Sequence, residues 1–342
     1  RILKGVSSHC YMLESVENQE KWGRYTFLGY DPKLEITCTN GVMKVKNGKT
    51  EISEVKHPGE KIKEILKEYT SPNIKELPTF TGGLVGYFSY DYIKYSEPKL
   101  NLDADDEEGF KDVDLMLFDK VIAFDNFSQK IIVIANAKTD NLEEDYNKCV
   151  DEINKIIELI KTGEMVDVNP GKITSEFRPL FTEKEYCEMV EKAKHYIYEG
   201  DIFQVVLSNR LEADYEGSLL NAYRVLRTIN PSPYMFYFSS DDIEVAGASP
   251  ETLVKLEDGV LHTFPLAGTK PRGKTKEEDD ELEKKLLSDE KERAEHNMLV
   301  DLGRNDIGKI SRFGTVEVEN YMDILRYSHV MHIGSTVKGE IR

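Results

Sequence analysis

Two long amphipathic stretches interrupt a chain of short β-type runs, and this mixture constrains the fold more than any other feature of the sequence. From residue 142 to 160, apolar residues recur every three or four positions, which predicts a helix ending near Gly163. A second helix is predicted from Thr182 to Gly200. Thr182 and Glu185 have the spacing of a capping box, and Gly200 can adopt the left-handed conformation that ends helices.

Short alternating or apolar runs fill most of the remaining sequence and predict antiparallel strands. In the first part of the chain they cover residues 25–30, 34–38, 42–46, 84–90, 115–125 and 130–135. Asn40-Gly41 and Asn47-Gly48 supply hairpin turns beside two of them. Strands are expected to resume at Ile202, with further helices over 219–229 and 276–302. Long helices set against many antiparallel strands predict an α+β fold.

The charge of the chain limits its partners. With 342 residues and a formal net charge of −18, the protein would repel nucleic acids and acidic membranes over most of its surface. A small anionic substrate would need a metal ion, a few basic side chains or backbone N–H groups to bind. The acidic run over residues 103–108 is interpreted as a solvated loop rather than a cation site.

The cysteines and the apolar runs predict a cytoplasmic protein. The four cysteines are widely spaced and lack the pairing with each other or with histidine that zinc sites show, so we expect reduced thiols. The first residues have no signal-peptide pattern, and runs such as 131–135 are far too short to cross a membrane. Neither secretion nor membrane insertion is expected.

Two carboxylates in the second half have the spacing of a metal site. Glu292 and Glu295 are three residues apart on a predicted helix, so their side chains project from one face and can share a hard cation such as Mg²⁺. A solvated helix of mixed charge produces the same spacing. The residues alone leave both interpretations open.

Two further segments can carry chemistry. Residues 243–249 predict a strand of small residues that leads into Pro250-Glu251, where the Glu251 carboxyl can serve as a general acid if its surroundings raise its pKa. In the loop over 265–273, the N–H groups of Gly268 and Thr269 can bind a carboxylate. On the residues alone, an exposed turn at Glu251 and an ordinary turn-rich loop are the favoured interpretations.

Five segments taken together resemble the motifs of the chorismate-utilising enzyme family in wording, order and spacing. They read GDIFQVV (200–206), GASPE (247–251), PLAGT (265–269), ERAEH (292–296) and VMH (330–332). The resemblance covers nearly the whole chain. It implies an α+β fold of large antiparallel sheets sandwiched with helices. It also implies an N-terminal region over 1–165 and the first part of the chorismate-binding catalytic domain over 175–342.

The resemblance assigns a role to each matching residue. It implies that Glu295 binds Mg²⁺ directly and that Glu292 holds the ion through water, so that the cation grips the ring carboxylate of chorismate. Glu251 matches the general acid that protonates the departing C4 hydroxyl. Gly268 and Thr269 match substrate-binding positions. His332 matches a histidine associated with the aromatising loss of pyruvate, although a buried structural histidine is the alternative interpretation.

Two positions separate the branches of this family. Gln204 stands where isochorismate-forming members carry a lysine that activates water. Ala267 stands where many 4-amino-4-deoxychorismate synthases carry a lysine. The resemblance therefore implies direct amination of chorismate by ammonia and loss of pyruvate, giving anthranilate in the first committed step of tryptophan synthesis. Formation of 4-amino-4-deoxychorismate is the alternative within the family.

A second constellation concerns regulation. The segments LES (13–15) and NPSPYMF (230–236) resemble the two halves of the tryptophan feedback site in anthranilate-forming members. The resemblance assigns tryptophan binding to Glu14, Ser15, Pro233, Tyr234 and Met235. The second segment also reads as the end of a helix followed by a strand, which is compatible with a pocket built on that strand.

We expect the family's C-terminal part, with further substrate contacts and a further Mg²⁺ ligand, to lie outside this sequence, which leaves the fold incomplete. The chain alone is then expected to be catalytically silent, and a tryptophan-binding fragment is an alternative function. The sequence contains no glutaminase-like Cys–His module, so ammonia is expected from a separate glutamine amidotransferase subunit.

Overall fold

The structure is a computed structural model that describes residues 1–15, 23–97, 99–100, 102, 106–327 and 329–342. These residues form two compact units, Arg1–Ala248 and Ser249–Arg342. Asp103, Ala104 and Asp105 of the predicted acidic loop lie outside the described residues. The proposed regions 1–165 and 175–342 are a division by resemblance, and they stay a prediction.

The elements of the first unit alternate between groups of strands and single helices. The strands are β1 (Cys10–Glu14), β2 (Tyr25–Tyr30), β3 (Leu34–Thr39), β4 (Val42–Asn47), β5 (Lys49–Glu54), β6 (Gly83–Phe88), β7 (Val113–Phe118), β8 (Lys120–Asp125), β9 (Lys130–Ala135), β10 (Lys172–Ile173), β11 (Arg178–Pro179), β12 (Leu211–Glu212), β13 (Tyr215–Glu216), β14 (Tyr234–Ser239) and β15 (Glu244–Ser249). The helices are α1 (Ile2–Val6), α2 (Pro58–Lys67), α3 (Leu142–Thr162), α4 (Glu183–Glu199) and α5 (Leu219–Ile229), with a 3₁₀ helix over Tyr90–Tyr95.

Two antiparallel sheets form the centre of the first unit. Among the described residues, one sheet has the strand order β15-β14-β1-β2-β8-β9 and the other has the order β5-β4-β3-β7-β6. Tyr11 and Phe238 of the first sheet pack against Met116 and Phe118 of the second. Helices α3 and α5 cover the other face of the first sheet, and α2 covers the other face of the second. The predicted α+β class, with sheets sandwiched with helices, is confirmed.

The helix signals in the first unit were accurate. Helix α3 ends at Gly163, as the apolar period predicted. At the start of α4, the Thr182 side chain accepts a hydrogen bond from the Glu185 N–H, and Gly200 closes the helix with a φ of 82°. Both tight hairpin turns were also placed correctly, because Gly41 and Gly48 adopt positive φ values of 79° and 70° between paired strands.

The strand predicted from Ile202 is wrong. Within the described part of the chain, residues 202–210 belong to no strand. Phe203 and Val206 are 88% and 86% exposed. A strand needs a neighbouring strand to pair its backbone groups, and the period of the side chains does not reveal whether one is there.

The second unit is a smaller sheet with two helices on it. Its strands are β16 (Lys255–Glu257), β17 (Val260–Thr263), β18 (Leu266–Pro271), β19 (Glu317–Arg326) and β20 (Val330–Glu340). In the described residues, the long strand β20 pairs with β17, β18 and β19, always antiparallel. Helices α6 (Lys276–Ser288) and α7 (Glu290–Gly308) contact this sheet.

The helical structure predicted over 276–302 is present, but as two helices, because the chain breaks at Asp289. The Asp289 side chain accepts hydrogen bonds from the N–H groups of Lys291 and Glu292, so it caps the start of α7. Such a cap ends one helix and fixes the direction of the next. The break matters for function, because it sets where the carboxylates of α7 point.

Candidate active site

Three of the predicted site residues meet where β18 pairs with β20. Thr269 lies directly opposite His332 in the register of these strands. The His332 Nδ1 atom is 2.9 Å from the Gly268 carbonyl oxygen and 3.0 Å from the Thr269 hydroxyl oxygen. Since a carbonyl only accepts hydrogen bonds, we assign the proton to Nδ1, which leaves the Nε2 lone pair to accept a proton.

Gly268 brings the neighbouring helix into this group. Its φ is +68°, and the β18–β20 register shifts between Ala267 and Thr269, so Gly268 forms a bulge in the strand. A Cβ atom at this position would lie 3.2 Å from the Glu292 Oε2 atom and 3.1 Å from Leu286. The missing side chain therefore allows the Glu292 carboxylate of α7 to approach the β18 backbone.

A buried histidine holds α7 against the sheet. His296 is fully buried, and its Nε2 atom is 2.6 Å from the Ser335 hydroxyl of β20. Burial lowers the pKa of His296, which favours the neutral ring. Glu292 is one turn before His296 on nearly the same face, and Glu295 flanks that face. Both glutamates are half-buried.

The two glutamates have the donor chemistry for Mg²⁺. Carboxylate oxygens suit this hard cation, which usually takes one or two carboxylates and completes its shell with water and substrate oxygens. Among the described residues, no cluster of three or more His, Cys, Asp or Glu side chains has the geometry of a metal site. Glu292 and Glu295 therefore fit a cation that is shared with a bound ligand.

The other two predicted catalytic residues lie outside this group of contacts. Glu251 is exposed, two residues after β15, and its N–H donates to the Ser249 hydroxyl oxygen at 3.3 Å. The short bend that this bond closes matches the turn predicted at Pro250-Glu251. Gln204 lies in the first unit, on the exposed segment that was wrongly predicted as a strand. The catalytic roles of Glu251 and Gln204 stay predictions.

The first unit brings the two halves of the predicted tryptophan site together. Strand β1 pairs with β14, and Glu14 lies opposite Met235. Ser15 directly follows Glu14 at the end of β1, and Pro233 and Tyr234 directly precede Met235. Neighbouring residues on a strand face opposite sides, so Glu14 and Met235 lie on one face of the sheet and Tyr234 lies on the other.

Glu14 is held by α5. The Tyr223 hydroxyl donates to one Glu14 carboxylate oxygen and the Arg227 guanidinium to the other, both at 2.7 Å. Burial, together with the Glu14 carboxylate, raises the pKa of Tyr223, so this hydroxyl stays a hydrogen-bond donor. A second hydrogen-bonded carboxylate, which is half-buried, lies at the other end of α5, where Glu244 accepts hydrogen bonds from Ser218, from the Leu219 N–H and from Tyr237.

Several of these residues carried no signal in the sequence. The partners of Glu14 on α5 are more than 200 positions away from it. His296 was quoted only as part of the ERAEH motif. Its central position in an otherwise charged helical segment was the one hint that this side chain faces the core.

Fold and site together define a class of protein. The sequence profile of chorismate binding enzymes matches residues 8–342, and the chain belongs to this family. Its relatives include anthranilate synthase component 1 of Acetivibrio thermocellus, which is 46% identical over 98% of this chain and 70% of that protein. The same component of Aquifex aeolicus is 45% identical over 99% of this chain and 70% of its own length.

Solved structures agree with this result. The crystal structure of anthranilate synthase component I from Streptococcus pneumoniae TIGR4 matches 96% of this chain and 70% of that chain, with a TM-score of 0.79 and 35% sequence identity. The chain thus spans about 70% of the length of these relatives. Among the described residues, no helix has the length and apolar character needed to cross a membrane.

Proposed function

We propose that the protein acts as the chorismate-binding component of an anthranilate synthase. The reaction converts chorismate and ammonia to anthranilate, pyruvate and water. The observation that carries the proposal is the meeting of Gly268, Thr269, His332 and Glu292, which come from three separate segments of the sequence. The identity to anthranilate synthase component 1 over nearly the whole chain supports it.

His332 has the geometry of a base for the last step. With Nδ1–H directed at the Gly268 carbonyl, its Nε2 atom can take the proton from the ring carbon that carries the new amino group. The electron pair of that C–H bond restores the aromatic ring as the C–O bond to pyruvate breaks. Before that step, Glu251 would donate a proton to the C4 hydroxyl, which leaves as water when ammonia adds.

Glu292 and Glu295 would hold Mg²⁺ together with the ring carboxylate of chorismate. A bound Mg²⁺ neutralises that carboxylate and orients the substrate. Such a cation would explain how a chain of formal net charge −18 binds chorismate, a dianion. The Thr269 hydroxyl, 3.0 Å from His332 Nδ1, lies where a substrate group near the histidine can contact it.

Ammonia as the nucleophile fits the side chains at two positions. Gln204 and Ala267 provide no lysine to activate water or to attack the ring, so the alternative product, 4-amino-4-deoxychorismate, is disfavoured. A glutamine amidotransferase subunit would supply the ammonia in a cytoplasmic complex. The test is to incubate the protein with chorismate, Mg²⁺ and ammonium at alkaline pH. Anthranilate fluorescence with equimolar pyruvate would support this function, and a non-fluorescent amino product would favour the alternative.

Feedback inhibition by tryptophan is the regulatory part of the proposal. The pairing of Glu14 with Met235 supports it, because both halves of the predicted site lie on neighbouring strands of the first unit. Tryptophan should bind beside Ser15, Pro233 and Tyr234, where an apolar pocket with polar anchors suits an indole amino acid. Calorimetry with tryptophan and phenylalanine tests the site, and equal affinity for the two amino acids would contradict it.

The 342-residue chain on its own is a candidate tryptophan-binding module with little turnover. Two carboxylates without substrate oxygens seldom bind Mg²⁺ tightly, and the described residues offer no larger ligand cluster. Helix α4 also buries none of its residues, although it carries an apolar stripe. Tryptophan binding without anthranilate formation would support this function, and turnover comparable to that of a complete enzyme would overturn it.

A further inference from the structure

One arginine links three segments beside His332. Arg272 follows strand β18, and its guanidinium donates to both carboxylate oxygens of Asp279 on α6, at 2.6 to 3.1 Å. The remaining Nη1 atom donates to the Tyr327 carbonyl oxygen at 2.6 Å. The Arg272 backbone N–H donates to the His329 carbonyl oxygen at 3.0 Å. A single residue thus ties α6, the end of β19 and the start of β20.

The connection that Arg272 holds carries one wall of the candidate active site. The Tyr327 N–H donates to the Val330 carbonyl oxygen, which closes the link between β19 and β20. The Tyr327 ring packs edge-on against the His332 ring, with 5.6 Å between the ring centres. His332 is therefore fixed from two sides, by the Gly268 carbonyl at Nδ1 and by the Tyr327 ring.

Asp279 is held in turn by the backbone. It is 7% exposed, and one carboxylate oxygen accepts the Gly273 N–H at 2.7 Å. The Arg272 guanidinium, together with this N–H, lowers the pKa of Asp279 and keeps it ionised. Arg326 lies 3.9 Å from Asp279, and its nearer partner is Glu283. The fork between Arg272 and Asp279 thus connects α6 to this corner of the sheet, beside the ion pair between Glu283 and Arg326.

We propose that Arg272, oriented by Asp279, is a positioning residue for His332. The catalytic part of this inference rests on the proposed function, whereas the contacts of Arg272 do not depend on it. Arg272 acts through the Tyr327 carbonyl, which holds the Tyr327 ring against His332 and so restricts the plane of the imidazole, while the Gly268 carbonyl fixes the proton on Nδ1. The planar guanidinium donates to the Asp279 carboxylate through two nitrogens and to the Tyr327 carbonyl through the third, a fork that a lysine, with all its donors on one nitrogen, cannot reproduce.

The experiment compares Arg272→Lys, which keeps the charge, with Asp279→Asn, which keeps the size of the side chain. The matched control is Arg312→Lys, because Arg312 forms an exposed pair with Glu340 at the far end of β20. Nitrogen-15 NMR of the histidine rings in the 342-residue chain reports the His332 tautomer, with the signal assigned by its loss in His332→Gln. Melting curves check that each variant folds.

We expect both test variants to shift the His332 ring signals, because the Tyr327 ring no longer restricts the imidazole plane beside the Gly268 carbonyl, and the control to leave them unchanged. In the protein at its natural full length, kcat should fall about ten- to a hundredfold, since small displacements of a reacting group have effects of this size. KM for chorismate should stay within about twofold. The inference is overturned if Arg272→Lys and Asp279→Asn, both folded, leave the His332 signals as in the wild type. If those signals shift while the wild-type protein forms no anthranilate, the positioning role stands and the proposed function fails.

Discussion

The carboxylates of the two units differ in what surrounds them. In the first unit, both Glu14 oxygens accept short hydrogen bonds from α5, and Glu244 accepts them from Ser218, Leu219 and Tyr237. In the second unit, no hydrogen bond or ion pair from the described residues reaches the carboxylates of Glu292 and Glu295. All four lie in segments that the sequence analysis had singled out.

We propose that this difference separates carboxylates that hold elements of the fold together from carboxylates that are available to a ligand. A buried carboxylate whose oxygens are fully hydrogen-bonded stabilises the contact between its elements and has little capacity left for a ligand. A half-buried carboxylate without such partners can still bind a cation or a substrate group. Substitutions on α7 and at the contact of β1 with α5 should therefore differ in whether they change activity or stability.

The largest effect is expected for Glu295→Gln, because a neutral amide cannot replace a charged ligand of Mg²⁺. In the full-length protein, anthranilate formation should fall about a thousandfold or more, since several kcal/mol of stabilisation are lost and each ~1.4 kcal/mol is about tenfold in rate. The melting temperature should barely change. Glu290→Gln, an exposed position on the same helix, is the control. Normal Mg²⁺-dependent activity in Glu295→Gln would place the cation elsewhere.

Glu14→Gln is expected to show the opposite profile. Replacing the buried carboxylate weakens the hydrogen bonds from Tyr223 and Arg227, and should lower the free energy of unfolding by about 1 to 3 kcal/mol. Glu292→Gln should lower it by less than about 0.5 kcal/mol, because its carboxylate has no such partners. Urea unfolding of the two variants measures both values. Equal losses would show that the contrast between the two units has no energetic meaning.

Ser15→Leu tests whether effector binding is separate from chemistry. The larger side chain should crowd the pocket beside Tyr234 and weaken tryptophan binding about tenfold or more, with little change in turnover. Inhibition curves with tryptophan on the full-length protein measure the effect. Ser53→Leu, on the exposed strand β5, is the control. Inhibition at an unchanged tryptophan concentration would exclude Ser15 from the site.

The sequence predicted individual helices better than the pairing and packing of elements with one another. The capping box at Thr182 and the period of α3 are local signals, and the structure confirmed both. The strand expected from Ile202 failed because pairing depends on residues far away in the chain. The cap at Asp289 was missed because an aspartate inside a charged helical run looks like another surface residue.

The candidate site shows the same limit. Gly268, Thr269 and His332 were recognised from short motifs, but the bulge that brings Glu292 close to Gly268 was not. The fork between Arg272 and Asp279 joins a loop to a helix across seven positions. Because Arg272 lies outside the helix, no helix or strand period predicts this contact. Local chemistry can be read from the sequence, whereas contacts between elements require the fold.

Gly268→Ala is expected to separate backbone strain from crowding. A left-handed φ costs a non-glycine residue about 1 to 2 kcal/mol, and an added Cβ would also approach Glu292 and Leu286. Gly259 has a φ of +80° but no neighbour within 4 Å, so Gly259→Ala reports the strain alone. Gly268→Ala should destabilise the protein by about 1 kcal/mol more than the control does. If Gly268→Ala and Gly259→Ala lowered the free energy of unfolding equally, crowding between α7 and the strand would make no contribution.

The smallest effect concerns a hydrogen-bonded carboxylate that belongs to neither predicted site. Asp125 accepts hydrogen bonds from Arg24 and from the N–H groups of Phe127 and Ser128, and the Arg24 guanidinium lowers its pKa to about 2. A folded-state pKa below the unfolded value gives stability that is fully present above about pH 4 and lost as the pH falls towards 2. Asp125→Asn lacks this titration.

The melting temperature of Asp125→Asn should therefore lie below that of the wild type by a constant amount from pH 5 to 7, and this deficit should shrink between pH 4 and 2. Arg24→Gln removes the main cause of the pKa shift, so it should show the same shrinking deficit. If the deficit of Asp125→Asn grew on acidification, the hydrogen bonds of Asp125 would not stabilise its charged form. The claim that hydrogen-bonded carboxylates stabilise this fold would then be wrong.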